Sequence, residues 1–162
     1  MQERKLEVIY HQCAFQDLNI SDHLLMQRAI QAMSNAYAPY SQFRVGAAVL
    51  LDNQEIVIGS NQENSAYPSG LCAERVALFS AFAQFPDAKV KAIALTAQTD
   101  KFDLIKPISP CGACRQVMAE YENKSETAMR VIMMGSENHV ILIDGIHNLL
   151  PFIFHENKLK NH

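Results

Sequence analysis

Apolar positions in this 162-residue chain switch between two periods, and the switches mark its elements. Ser21 or Asp22 can cap a helix in which Leu25, Ala29, Ala32, Met33 and Ala36 recur at helical spacing. That predicts a helix to about Ala36, ended by Pro39. Phe43, Val45, Ala47 and Val49 then alternate with Arg44, Gly46 and Ala48, which predicts a strand over about 44–51. Asp52-Asn53 predicts a hairpin turn, and Glu55 to Ser60 the returning strand. After the breaker-rich Ser65 to Gly70, small and apolar residues from Leu71 or Cys72 to Gln84 predict a mostly buried helix, stopped by Phe85-Pro86-Asp87. Val90 to Ala97 predicts a buried strand, and Pro110 opens a helix to about Tyr121. Met129 to Met134 and His139 to Ile143 predict two more strands joined through Gly135 to Asn138, with a short helix over Gly145 to Leu150.

The hairpin makes the first strand pair antiparallel. Strands alternating with helices predict parallel neighbours joined by crossovers. The fold class is therefore α/β, a mixed five-stranded sheet with helices on its faces. The length fits one domain. Residues 1–20 read as an N-terminal extension, a short strand or an arm packed on the domain. Residues 21–156 read as the domain itself, and 157–162 as a C-terminal tail.

Composition narrows the function. A formal net charge of −3 argues against a surface built to neutralise many phosphates. No apolar run approaches the roughly 18 residues of a membrane helix, and Met1 to Tyr10 lacks a signal-peptide core. The expected location is the cytoplasm, where the four cysteines point to metal or redox chemistry rather than to disulfides.

Three of those cysteines lie in two short stretches, Leu71-Cys72-Ala73-Glu74-Arg75 and Pro110-Cys111-Gly112-Ala113-Cys114-Arg115-Gln116. Cys111 and Cys114, one helical turn apart, can point at one ion, and Cys72 must join them from the other helix. Three protein ligands leave a position open for water, the mark of a catalytic zinc, whereas a structural zinc takes four. Helix N-termini favour the anionic sulfurs. Three thiolates leave the centre net negative, so nearby positive charge or donors are expected. Arg75 is the first candidate for that duty; Arg115 and Gln116 follow. Glu74, two residues after a ligand, is placed to move protons. Cys13, with His11 the nearest possible co-ligand, reads as a buried or idle thiol.

Cys-x-Glu followed by Pro-Cys-x-x-Cys is the known pattern of the zinc deaminases in its all-cysteine form. Together with Ala38-Pro39-Tyr40-Ser41-x-Phe43-x-Val45-Gly46-Ala47-Ala48 and Asn61-x-Glu63-Asn64, it resembles the small, single-domain cytidine deaminases over about residues 22–155. The resemblance implies a three-layer α/β/α fold and a homotetramer. It implies one zinc ion on Cys72, Cys111 and Cys114, proton transfer by Glu74, and hydrolysis of cytidine and deoxycytidine to the uridines in pyrimidine salvage. It further implies that Asn61 and Glu63 bind the sugar, that Phe43 packs on the pyrimidine, and that Tyr67 and Phe154 serve a neighbouring subunit's site. Gln62 departs from the apolar residue usual there, and the 98–109 loop is long. A deaminase of another nucleoside or of a base in RNA, or a non-catalytic zinc protein, are the alternatives.

Overall fold

The computed structural model describes residues 1–135, 138–155 and 159; the expected tail at 157–162, apart from Leu159, and the link at 136–137 lie outside the described residues. In chain order the elements are β1 (His11–Ala14), α1 (Ile20–Met33), β2 (Phe43–Leu51), β3 (Ile56–Ser60), α2 (Ala73–Gln84), β4 (Val90–Thr99), α3 (Gly112–Ser125), β5 (Arg130–Met134) and β6 (His139–Asp144). The strands form one sheet in the order β1-β6-β5-β4-β2-β3.

The sheet is mixed, as the pattern predicts, but it has six strands rather than five. The additional strand is β1, which pairs antiparallel with β6 through Cys13 opposite Val140. Four residues with two polar side chains carry too little periodicity to announce a strand; edge pairing makes it. Among the described residues, β4 and β5 are the one pair of neighbouring strands that run parallel. The α2 crossover leaves β3, passes over β2 and enters β4, so β3 and β4 share a direction without touching, and β2 pairs antiparallel with both.

Alternation along each strand divides the core into two layers. Ala47, Val49, Leu51, Ile93, Leu95, Val131 and Met133 pack with α2 and α3 residues such as Ala77, Leu78, Phe82 and Met118. Ala48, Ala92, Ala94, Ile132 and Val140 pack on the other face under Leu25, Met26 and Ala29 of α1. Small residues bring the layers close. A Cβ at Gly46 would overlap the Ala29 carbonyl of α1, and one at Gly59 would overlap the backbone of Ala77 in α2. The result is the three-layer α/β/α arrangement. It holds the N-termini of α2 and α3 beside each other at one end of the sheet.

Helix α1 begins earlier than its periodicity suggests. Asn19, not Ser21 or Asp22, is the cap: its Oδ1 accepts the Asp22 N–H at 2.9 Å, and its Nδ2 donates to the Asp22 carboxylate at 2.7 Å. The helix closes at Met33, after which Ser34, Asn35 and Ala36 make tighter turn bonds.

Candidate active site

Cys72 is the N-cap of α2 and Cys111 the N-cap of α3, and neither side chain caps its own helix. Their sulfurs are therefore available to each other. Cys111 Sγ lies 3.8 Å from Cys72 Sγ and 3.4 Å from Cys114 Sγ, and all three sulfurs fall within 4.8 Å of one another. A tetrahedral zinc with Zn–S near 2.3 Å separates its sulfurs by about 3.8 Å, so the cluster fits one zinc ion with small adjustment. Cys114 is fully buried and Cys111 exposed, which closes the site on one side and opens it on the other. Cys13, on β1, is not part of this group, so the cluster offers three sulfurs and no fourth.

Electrostatics support the same fit. The Cys114 thiol donates to Cys72 and, helped by Arg75, brings the Cys72 thiol down to about 5. Cys114 itself is pushed far up, first by that same hydrogen bond and then by burial. Without a cation the sulfurs cannot all ionise together, and a dication relieves that conflict. Arg75 contributes part of the relief: its Nη2 is 3.9 Å from Cys72 Sγ and 3.4 Å from the Gly70 carbonyl.

Glu74, in the first turn of α2, is only 4% exposed. Burial, reinforced by the negative charge of Cys72, raises its carboxyl above the ordinary range. A carboxyl so placed exchanges protons nearer neutral pH than a free one.

A cavity of about 950 Å³ opens in front of the cluster and is lined by Phe43, Asn61, Glu63, Tyr67, Glu74 and Cys111 among others. Its floor is the strip 61–63, held between two segments. Tyr37 donates to the Asn61 carbonyl and accepts from Glu63 N–H, while Gln62 and Leu71 exchange backbone bonds of 2.9 Å each. The second exchange fixes the residue just before Cys72. Asn61 turns its amide to β2, accepting from Val45 N–H at 2.8 Å and donating to the Phe43 carbonyl at 2.9 Å. One N–H and one lone pair of that amide remain for a ligand. Glu63 Oε2 accepts the N–H groups of Tyr40 at 2.8 Å and Ser41 at 3.2 Å.

Two expected site residues stand apart. Gln116 does not face the sulfurs; its Nε2 donates to the Phe154 carbonyl at 2.8 Å, and its Oε1 accepts Phe154 N–H at 3.2 Å. Phe154 is 74% exposed and does not line the cavity of its own chain. Tyr67 lines the cavity yet is 77% exposed. Arg115 is a brace: it binds the carbonyls of Pro110 at 2.8 Å and Leu149 at 2.9 Å, and Ser109 Oγ at 3.2 Å. The backbone cradle at Tyr40 and Ser41 has no sequence signature, since N–H groups leave no mark on residue type.

Residues 19–130 match the family described as the cytidine and deoxycytidylate deaminase zinc-binding region. The chain is 46% identical over 136 residues to a cytidine deaminase of Sporosarcina psychrophila, covering 84% of this chain and 93% of that one. It is 48% identical over 97 residues to one of Halalkalibacterium halodurans, 60% of this chain and 69% of that one. The crystal structure of cytidine deaminase from Burkholderia pseudomallei superposes with a TM-score of 0.71 at 39% identity, covering 82% of this chain and 98% of that one. The three-sulfur cluster, the buried glutamate and these similarities converge: the chain belongs to the cytidine deaminase family.

Proposed function

We propose that this chain carries out the zinc-dependent hydrolytic deamination of cytidine and deoxycytidine, and that its own residues divide the work as follows. Cys72, Cys111 and Cys114 hold the ion, and Arg75 offsets their negative charge. When bound, Zn²⁺ supplies the Lewis acidity that makes water a nucleophile at neutral pH. Glu74 receives a proton of the attacking water and passes it to the ring nitrogen beside the reacting carbon, then moves the second proton from the added hydroxyl to the departing amino nitrogen. Water adds its oxygen to the pyrimidine carbon, the C–N bond breaks, and ammonia leaves with uridine or deoxyuridine. Phe43 packs on the base. The Asn61 amide donates and accepts at the sugar and the Glu63 carboxylate accepts there, which favours a free nucleoside over a base within a strand.

The observation that carries this division is the placement of Glu74, buried beside the sulfur cluster on the cavity wall. Exposure of Tyr67 and Phe154 supports a homotetramer in which they complete a neighbouring subunit's site. Among the described residues no helix is long and apolar enough to cross a membrane; we place the reaction in the cytoplasm and in pyrimidine salvage. The deciding experiment follows loss of cytosine absorbance with cytidine, deoxycytidine and a cytosine-containing oligonucleotide. Turnover of both nucleosides and not of the oligonucleotide is expected. Preference for the oligonucleotide would overturn the assignment.

A further inference from the structure

Each of the two N-cap cysteines is followed, one helical turn on, by an arginine: Arg75 after Cys72 and Arg115 after Cys111. Each guanidinium folds back over the start of its helix to a carbonyl just before the cysteine. Arg75 Nη2 reaches the Gly70 carbonyl at 3.4 Å, and Arg115 Nε the Pro110 carbonyl at 2.8 Å. There the likeness ends. Arg75 also reaches a sulfur, at 3.9 Å, whereas Nε, Nη1 and Nη2 of Arg115 all donate to neutral oxygens.

Those oxygens belong to the turn before Cys111 and to the core. Nη2 holds the Ser109 hydroxyl at 3.2 Å, and Nη1 the Leu149 carbonyl at 2.9 Å. Leu149 is a core residue, 8% exposed. The Arg115 N–H closes the first turn of α3 on the Cys111 carbonyl at 2.9 Å. One residue thus binds 109, 110 and 111 in succession and ties them to a buried segment. The turn needs such a tie. Cys111 and Gly112 are exposed, and a Cβ at Gly112 would meet nothing within 4 Å. Pro110 has no N–H to anchor it. Cys114 is held by burial and Cys72 has Arg75 beside its sulfur, so Cys111 is the ligand whose place depends most on its turn.

Resting on the reading of the cluster as a zinc site, we propose that Arg115 is a positioning residue for the Cys111 ligand: its fork holds the turn from Ser109 to Cys111 so that the exposed sulfur stays beside the other two. It acts by geometry and not by charge. A planar guanidinium grips three acceptors in fixed directions, and an ammonium of the same charge does not. Lysine therefore fails to replace Arg115, although its charge serves in part at Arg75.

The test is metal binding by the full chain, with zinc affinity read by chelator competition and sulfur ligation by the sulfur-to-metal charge-transfer band of the cobalt(II) form. Arg115→Met should bind zinc roughly 10- to 100-fold more weakly, the scale of losing a group that orients a metal ligand. Its cobalt band should fall toward that of Cys111→Ser. Arg115→Lys should resemble Arg115→Met, and it carries the test where Arg115→Met does not fold. Adding Arg115→Met to Cys111→Ser should weaken binding no further, whereas adding it to Cys72→Ser should. A lowered Tm with wild-type affinity and a wild-type cobalt band would make Arg115 a support of the fold alone and overturn the proposal. Full recovery in Arg115→Lys, or an equal further loss in both cysteine backgrounds, would overturn it too. A wild type that takes up no metal would overturn the zinc reading itself.

Discussion

The side-chain amide of Gln116 and the backbone of Phe154 exchange two hydrogen bonds, of 2.8 and 3.2 Å, which fasten the segment after the last strand to α3. Gln116 follows the two α3 ligands by five and two residues, and its nearness in sequence suggests a donor to zinc sulfur. The geometry gives it a different task. It fixes the backbone of Phe154, the exposed aromatic that the proposed homotetramer would place in a neighbouring subunit's cavity.

Gln116→Ala should therefore behave like Phe154→Ala. Both should raise KM for cytidine by roughly 3- to 10-fold, the scale of one or two net hydrogen bonds, while zinc stays at one ion per chain. Steady-state kinetics beside metal analysis checks this. Zinc lost from Gln116→Ala with KM unmoved would return the residue to the metal.

Glu74→Gln keeps the size of the side chain and removes its capacity to carry a proton. A drop in kcat of roughly 10²- to 10⁴-fold is expected, the usual contribution of a positioned acid/base group, with zinc content unchanged. Wild-type turnover in this variant would assign the proton to another group.

The metal-binding half of this site is legible in the sequence. The spacing of Cys111 and Cys114 and the place of Cys72 two residues before Glu74 put together side chains whose type announces their chemistry, whereas the strip from Asn61 to Glu63 takes its expected role from the family resemblance. What escaped depends on groups without a residue signature. The cradle of Glu63 is made of backbone N–H groups at Tyr40 and Ser41. Strand β1 exists because the edge of β6 offers it partners, not because His11-Gln12-Cys13-Ala14 favours a strand. The Asn19 cap and the Arg115 brace depend on which neighbour reaches a free backbone group first.

Arg75 tests whether charge near three thiolates matters. Its Nη2 lies 3.9 Å from Cys72 Sγ, and Nε is buried without a hydrogen-bond partner. That placement is costly unless the guanidinium serves the sulfurs. Arg75→Met should weaken zinc binding by roughly 10- to 100-fold, as loss of a group supporting metal ligands does, read out by competition with a chromogenic chelator. Arg75→Lys should recover part of the affinity through its charge. Equal affinity in all three proteins would remove Arg75 from the metal's surroundings.

The fold's stability in acid should depend on a charge cluster far from the site. Arg130 grips Asp144 with two bonds, of 2.8 and 3.3 Å, and reaches Asp22 at 3.1 Å, tying the start of α1 to β5 and β6. Asp22 is nearly buried, with its side chain 8% exposed, so Arg130→Met leaves its carboxylate with the Asn19 amide but without a countercharge and should cost about 1–3 kcal/mol. In a domain of this size that lowers Tm by several degrees. The hydrogen bond to Arg130 holds the Asp144 carboxyl below its ordinary range. A depressed carboxyl contributes its full stability above the unfolded pKa, near 3.9, and loses it as pH falls from there through the folded value. Asp144 is half exposed, so solvent screening limits its share to about 1 kcal/mol or less. Thermal melts of wild type and Asp144→Asn should differ between pH 5 and 7 and draw together as pH falls below about 3.9. A gap that stays constant over that range would mean that the pair contributes through packing alone.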